Sequence, residues 1–405
     1  MVLQSGSKVE DLVMERPDTF RIHSRAYTDP AIFELEMQQI FQRTWVYVAH
    51  ETEIPSSGDY KTTTIGRQPV IVARGSDDNK IRVLLNRCRH RGATVCQMEQ
   101  GSGNYFRCSY HGWVYTNSGA LVGVPAEEGY GSDFQKPALG LVELPRVDSY
   151  RGFIFASFSP DGPSLSDHLG NAKPYIDRFI DLGPDGIEVK GGVGKGGYKG
   201  NWKFQMENTV DGYHFTFTHA AYLALISRRS GKPGATEGYT ADLGNGHALL
   251  GVGLGADDHH RKSVSGLETR ADLHYGPGYN LSIFPNLALL FAQVRVIRPI
   301  SVDQTRVDIY PVRLNGVSEE VNRKRLTEHV DFYGPASFAQ PDDVEMFARC
   351  HLGQGADAIP GSEWVLMSRG LQDEAADDDG VRLTKGLTES SQRAFHRQWR
   401  KLMAD

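Results

Sequence analysis

Two short pairs of metal-binding side chains constrain this chain more than any other feature. Cys88 and His90 have one residue between them, and seventeen residues later come Cys108 and His111 with two residues between them, a C-x-H … C-x-x-H pattern. Four such ligands oblige two loops to meet around one inorganic centre. The two cysteines can hold one iron of a two-iron, two-sulfide cluster and the two histidines the other, a ligation that lifts the reduction potential well above that of an all-cysteine cluster. Zinc accepts the same ligand types. Finger spacing, however, pairs cysteine with cysteine and histidine with histidine, whereas each loop here carries one of each.

The flanking text predicts the same arrangement. IRVLLN runs into the first pair and NYFRC into the second, and both read as strands, so the ligands fall in short turns at adjacent loop tips. Arg89, Arg91 and Gly92 flank the first pair, where backbone amides and glycine flexibility allow the chain to wrap cluster sulfurs. Arg89, Arg91 and Arg107 could also form a basic patch for an electron donor. The other two cysteines, Cys96 and Cys350, are expected to be buried small hydrophobes in a reducing cytoplasm rather than a disulfide.

A chain of 405 residues exceeds one ordinary core, so two or three domains are expected. A hydrophobic share of 40%, a charged share of 23% and a formal charge of -6 describe a soluble globular protein and argue against a nucleic-acid or membrane surface. The first thirty residues mix acids and bases with no apolar run of signal-peptide length, which predicts a cytoplasmic protein. Residues 31–44, AIFELEMQQIFQRT, have helical spacing. From Trp45 to about Phe158, short runs such as YKTTTIG, QPVIVAR and GFIFASF predict an antiparallel β domain. A helix through KPYIDRFIDLG follows. GGVGKGG lacks the phosphate-loop frame and reads as a turn between strands. LALLFAQVRVIRPISV and TRVDIYPVRLN read as long strands, residues 318–332 as a charged helix, and DEAADDDGVR as a solvated loop.

A second constellation lies in MENTVDGYHFTFTHA. His214 and His219 are five apart, with Asp211 three residues before the first, and two imidazoles so spaced converge only if a helix ends or bulges between them. Alone they would read as structural. Beside an electron-transfer cluster they suggest a site where oxygen is reduced, because two histidines and a carboxylate form the facial triad of non-heme Fe(II). AQPDDVEMFARC offers Asp342, Asp343 and Glu345 behind Pro341 at a helix start; one aspartate can cap while the other points inward.

Together these residues resemble the large, catalytic α subunits of Rieske non-heme iron aromatic-ring-hydroxylating oxygenases, over nearly the whole chain from TDPAIFELEMQQIFQRTWVYVAHETEIP to YGPASFAQPDD. The resemblance implies an α+β fold: an antiparallel β Rieske domain (residues 43–160) inserted in a helix-grip catalytic domain with a large antiparallel sheet flanked by helices, formed by residues 1–42 and 161–405. It implies that Cys88, His90, Cys108 and His111 bind a [2Fe-2S] cluster, and that His214, His219 and Asp343 bind a mononuclear Fe(II). It gives Asp211 the role of bridging His214 to His111 of a neighbouring subunit, hence a homotrimer or an α3β3 assembly with a small β subunit. Asn208 matches an asparagine near the iron.

GDYKTTTIGRQPVIVAR, SYRGFIFASF and RVIRPISVD look most like the branch acting on benzoate, terephthalate, anthranilate and salicylate. An aromatic carboxylate requires a cation in an apolar pocket. Arg295 matches a carboxylate-binding position of terephthalate oxygenases; the alternative is an arginine on the solvent face of a strand. Phe215, Phe217, Leu223 and Ile226 are candidate pocket walls, though each residue type more often belongs to a core. The implied activity is dihydroxylation of an aromatic carboxylate with O2 and electrons from NAD(P)H, delivered by a separate reductase and possibly a ferredoxin, as in aromatic hydrocarbon catabolism. A monooxygenase or demethylase on the same scaffold is the alternative within enzymes. A pure Rieske electron carrier is the alternative from another class, and it has no use for His214, His219 and Asp343.

Overall fold

The computed structural model describes residues 8–189, 192–230, 238–252, 278–334, 337 and 339–404. The chain divides into two compact units: Met1–Ile40 together with Ser166–Asp405, and the intervening Phe41–Leu165.

In the intervening unit the alternating runs become three small antiparallel sheets. Asp59–Ile65 and Gln68–Arg74 form a hairpin, extended on either side by Gln100–Ser102 and Ile81–Leu85. Tyr105–Arg107, Val114–Thr116 and Leu121–Gly123 make the second sheet, and Val46–His50 joins Phe153–Ser157 and Arg146–Tyr150 in the third. Val70, Ile71 and Val72 are fully buried, as β-branched side chains on a covered sheet should be. The first ligand loop leaves the strand Ile81–Leu85, and the second joins Tyr105–Arg107 to Val114–Thr116. Cys88 and Cys108 are therefore packed into an apolar core with Ile71, Leu84, Phe106, Trp113 and Tyr115.

The other unit is built on one antiparallel sheet of eight strands, in spatial order Gly194–Lys199, Gln304–Pro311, Gln293–Ser301, Leu287–Leu290, Tyr279–Ile283, His247–Val252, Gly238–Gly244 and Arg382–Lys385. Two readings of the sequence change here. Of GGVGKGG, the residues from Gly194 to Gly197 are not in a turn but in the edge strand Gly194–Lys199, and Gly197 lies close to the partner backbone, where a Cβ would fall 2.9 Å from the Thr305 carbonyl oxygen. LALLFAQVRVIRPISV is two strands, because Phe291 adopts φ +52° and folds the run into a tight hairpin. A uniformly apolar run carries no mark of such a reversal.

Helices cover this sheet. The C-terminal helix Ser390–Ala404 lies on Gly238–Gly244 and His247–Val252 and buries Phe395, Trp399 and Met403, four residues apart on one face. The N-terminal helix Pro30–Glu36 starts with Asp29 accepting from the Ala31 N–H and Pro30 at its first turn. It passes into a wider π turn at Met37–Phe41, so helical structure stops short of the expected residue 44. Its last residue, Glu36, is wholly buried: it accepts from the indole N–H groups of Trp202 and Trp399, each at 2.7 Å, and pairs with the equally buried Lys203. The charged helix spans Glu319–Tyr333 with Ser318 at its N-cap, and Gln340–Gln354 follows with Pro341 in its first turn. Among the described residues, no helix is long and apolar enough to cross a membrane.

Candidate metal centres

The two cysteine–histidine loops fold alike. The Cys88 N–H bonds the Ala93 carbonyl at 2.8 Å and the Gly92 N–H returns to Cys88 O at 3.0 Å; the Cys108 N–H bonds Trp113 O at 2.8 Å and Gly112 N–H returns to Cys108 O at 3.0 Å. Both turns close on a left-handed residue, Gly92 at φ +80° and Gly112 at φ +72°, where a Cβ would be strained. The turns hold both thiols inside, at 4% and 1% exposure, and set the His90 and His111 rings 4.5 Å apart toward the surface. Both thiols are free. His90 stacks on Trp113, and its Nδ1 is buried with no hydrogen-bond partner among the described residues. An orphaned imidazole nitrogen beside two buried thiols fits a cluster ligated by two sulfurs and two nitrogens. Cys96 is buried as expected, but Cys350 is exposed, on an outward position of the helix Gln340–Gln354.

In the other unit, His214, His219 and Asp343 converge, with one ligand atom from each within 4.8 Å of the others. The helix between the histidines is a single turn, Phe215–Thr218, and His214 and His219 are the residues flanking its two ends. That early stop brings the two imidazoles together. The His214 and His219 Nε2 atoms lie 3.4 and 3.2 Å from Asp343 Oδ1. Asn208, in the last turn of the helix Lys203–Thr209, sets its amide 3.2 Å from both His214 Nε2 and Asp343 Oδ1. Two imidazoles and one carboxylate on a shared point are the donor set of a facial triad.

A carboxylate stands behind each imidazole. Asp211 accepts from the N–H groups of Tyr213 and His214 through Oδ1, which turns its Oδ2 to within 3.4 Å of His214 Nδ1. Asp342 Oδ2 lies 3.6 Å from His219 Nδ1, so this aspartate faces the second histidine, and among the described residues it makes no cap hydrogen bond. Carboxylates in these places fix the tautomer and ring orientation of metal-binding histidines. Burial alone would lower His214, but Asp211 and Asp343 outweigh it and push the imidazole up to about 9. Burial would likewise raise Asp343, yet His214 and His219 hold it well below the usual carboxylate range.

Arg295 is buried, at 4% exposure, in the strand Gln293–Ser301, which rules out the solvent-face alternative. Its guanidinium carbon sits 5.2 Å from the Tyr333 ring centre, and its Nε has no hydrogen-bond partner among the described residues. Burial pushes the guanidinium down from its ordinary value, opposed by Tyr333 and Asp343. The candidate walls divide. Phe215 is half-buried, its ring 5.4 Å from His219. Phe217 is 71% exposed, lying against Tyr213, because two residues apart on a helical turn point to opposite sides. Leu223 is half-buried, one turn after His219, and the Ile226 side chain lies outside the described residues. Sequence reasoning missed Phe332, 6.0 Å from His219 and 6.2 Å from Phe215, and Tyr222, 4.9 Å from Phe332. The one available signal was the aromatic pair Phe332–Tyr333 ending an otherwise charged helix.

Residues 44–148 match the Rieske [2Fe-2S] domain family, and residues 170–405 match the catalytic domain of the ring-hydroxylating alpha subunit. The chain is 36% identical over 392 residues to the 2-halobenzoate 1,2-dioxygenase large subunit of Burkholderia cepacia, covering 90% of this chain and 83% of that one. It is 34% identical over 402 residues to the toluate 1,2-dioxygenase subunit alpha of Pseudomonas putida, covering 92% and 87%. A solved naphthalene 1,2-dioxygenase with indole bound superposes with a TM-score of 0.83 at 30% identity, covering 97% of this chain and 94% of that one. The chain belongs to the α subunits of Rieske non-heme iron ring-hydroxylating oxygenases. Its cofactors are accordingly a Rieske [2Fe-2S] cluster and a mononuclear iron.

Proposed function

We propose that the chain is the terminal oxygenase that dihydroxylates an aromatic carboxylate, and that Arg295 binds the carboxylate. The single observation that carries this reading is a buried guanidinium whose Nε has no hydrogen-bond partner among the described residues, in the unit that holds His214, His219 and Asp343. A cation left unpaired out of water is costly unless a ligand supplies the partner. The names of the halobenzoate and toluate relatives point the same way.

On this reading His214, His219 and Asp343 hold the mononuclear iron, which when bound supplies an open face for dioxygen and accepts electrons one at a time. Asn208 keeps the Asp343 carboxylate oriented, and Asp211 positions His214 while its part-exposed carboxylate stays open to His111 of the partner subunit. Phe215 and Phe332 give the ring an apolar wall beside the histidines. Cys88, His90, Cys108 and His111 hold the cluster, whose electrons come from NAD(P)H through a separate reductase, with or without a ferredoxin. A homotrimer, alone or with a small β subunit, brings cluster and iron of adjacent subunits together.

The test is oxygen uptake and product mass on benzoate, salicylate, anthranilate, terephthalate and naphthalene, for the native enzyme and Arg295→Leu. Acid-selective uptake with two oxygens and two hydrogens gained is expected. Arg295→Leu should raise KM for the acids about 10- to 100-fold, the range of a charge-assisted pair, with iron content unchanged. An unchanged KM would remove Arg295 from the substrate, and preference for naphthalene would remove the carboxylate.

A further inference from the structure

The helix Glu319–Tyr333 is polar on a face where a core is usually apolar. Arg325, His329 and Tyr333 are four residues apart and line that face. The Tyr333 ring lies 5.6 Å from that of His329 and 5.2 Å from the Arg295 guanidinium carbon, so the face meets the strand Gln293–Ser301. Gln293 and Arg295 are two apart in that strand and point to the same side of the sheet. Phe291, just before them, also lies against Tyr333, 6.3 Å between ring centres. Gln293 and His329 are buried as deeply as Arg295, at 0% and 4% exposure. Among the described residues, Gln293 Oε1 and Nε2, His329 Nδ1 and Arg295 Nε have no hydrogen-bond partner. Buried polar atoms are nearly always paired, so orphans gathered on two facing elements set out the bonds of a ligand.

Charge decides what kind of ligand fits. Arg325 has an anion of its own in Glu328, which works against the downward push of burial. Arg295 has Tyr333 and Asp343 near it, and Asp343 is committed to the iron. One cation therefore remains for one carboxylate. Burial, with Arg295 and Arg325 nearby, pushes His329 down to about 4, so its ring is neutral. A neutral imidazole and an amide each offer a donor and an acceptor. They match a substituent that both donates and accepts, which a hydroxyl or amino group does and a halogen or a second carboxylate does not. Gln293 and Arg295 are next neighbours on their face, about 7 Å apart along the strand, which puts that substituent beside the carboxylate rather than across the ring. We propose that Gln293 and His329 determine specificity, selecting an aromatic monocarboxylate with a hydroxyl or amino group on the ring carbon next to the one bearing the carboxylate. The inference rests on Arg295 being the carboxylate site.

The experiment is anaerobic titration calorimetry of the holoenzyme with benzoate, 2-chlorobenzoate, salicylate, anthranilate and terephthalate, for the native protein, Gln293→Leu and His329→Phe. Salicylate or anthranilate should bind the native protein about tenfold more tightly than benzoate or 2-chlorobenzoate, the ratio expected of one satisfied hydrogen bond, and terephthalate should bind more weakly than either. Gln293→Leu should erase the preference, leave benzoate nearly unchanged, and keep or raise the thermal midpoint, since it removes a buried amide without partners. His329→Phe should reduce the preference, and it covers a Gln293 variant that fails to fold. Equal native affinities for benzoate, salicylate and anthranilate would overturn the proposal, as would a preference that survives both substitutions. Those results leave the carboxylate reading standing. Failure of the native protein to bind any of the acids would instead bring down the Arg295 assignment, and this inference with it.

Discussion

At the scale of single residues, the candidate iron site is a division of labour among three carboxylates and one amide around two imidazoles. Asp343 shares its Oδ1 with both Nε2 atoms, whereas Asp211 lies on the Nδ1 side of His214. The two aspartates should therefore fail differently. Asp343→Ala should lower iron from about three atoms per chain to about two, by cluster and triad stoichiometry, with cluster absorbance intact. Asp211→Ala should keep both metals and lose turnover, read by iron analysis beside oxygen uptake; turnover retained in that variant would end the bridging role. The pair Asp342–Asp343 was visible in the sequence, and the family resemblance singled out Asp343, but only the direction of the helix Gln340–Gln354 turns Asp342 toward the Nδ1 of His219. Phe217 shows the converse: an aromatic in the right segment is turned away by helical rotation alone.

At the scale of elements, short turns do the placing. The cluster turns both end on a left-handed glycine, and a Cβ at Gly112 would also meet Pro125 Cγ at 3.1 Å. Gly112→Ala should cost about 1–2 kcal/mol of backbone strain and lower iron and sulfide per chain, with the strands on either side preserved by circular dichroism. In the large sheet, His247 begins the strand His247–Val252 and is held from both sides: its Nε2 donates to His168 O at 2.7 Å and its Nδ1 accepts the Phe284 N–H at 3.0 Å. A ring so held cannot take a second proton without losing the Nδ1 bond, and burial pushes it down to about 4 from 6.5. Between those values the unfolded chain binds a proton that the folded chain refuses. The contribution is whole above pH 6.5 and is lost as pH falls toward 4, up to about 3 kcal/mol. Denaturant midpoints measured across that window should fall with acid in the native protein and less in His247→Asn; equal slopes would exclude His247. Strand runs such as QPVIVAR and GFIFASF were legible from alternation and β-branching, and match Gln68–Arg74 and Phe153–Ser157. The hairpin at Phe291 was not, since a reversal made by one residue's φ leaves no compositional trace.

At the scale of the whole molecule, distant segments are tied by buried charge. Glu36 near the N-terminus, Trp202 and Lys203 before the iron residues, and Trp399 near the C-terminus close one fully buried network. Removing the carboxylate leaves the Lys203 ammonium out of water without its anion. Glu36→Leu should cost about 3–5 kcal/mol, read as a lower thermal midpoint, and a double variant that also converts Lys203 to Met should recover much of it. No pattern in the sequence announces that contact, because residues 36, 203 and 399 belong to separate elements with nothing local in common. The chemistry was legible for the opposite reason. Ligand spacing is local: C-x-H, C-x-x-H and the five-residue step from His214 to His219 each lie within one loop or turn, where bond geometry alone limits what the side chains can reach. The sequence by itself thus determined two candidate metal-binding constellations, the strand-rich text around the first and the helical text around the second. Only the tertiary structure decided that Asp342 faces His219, that Arg295 is buried beside Tyr333, that Phe332 stands by His219, and that Tyr115 reaches Cys88, since each of these depends on how separate elements pack.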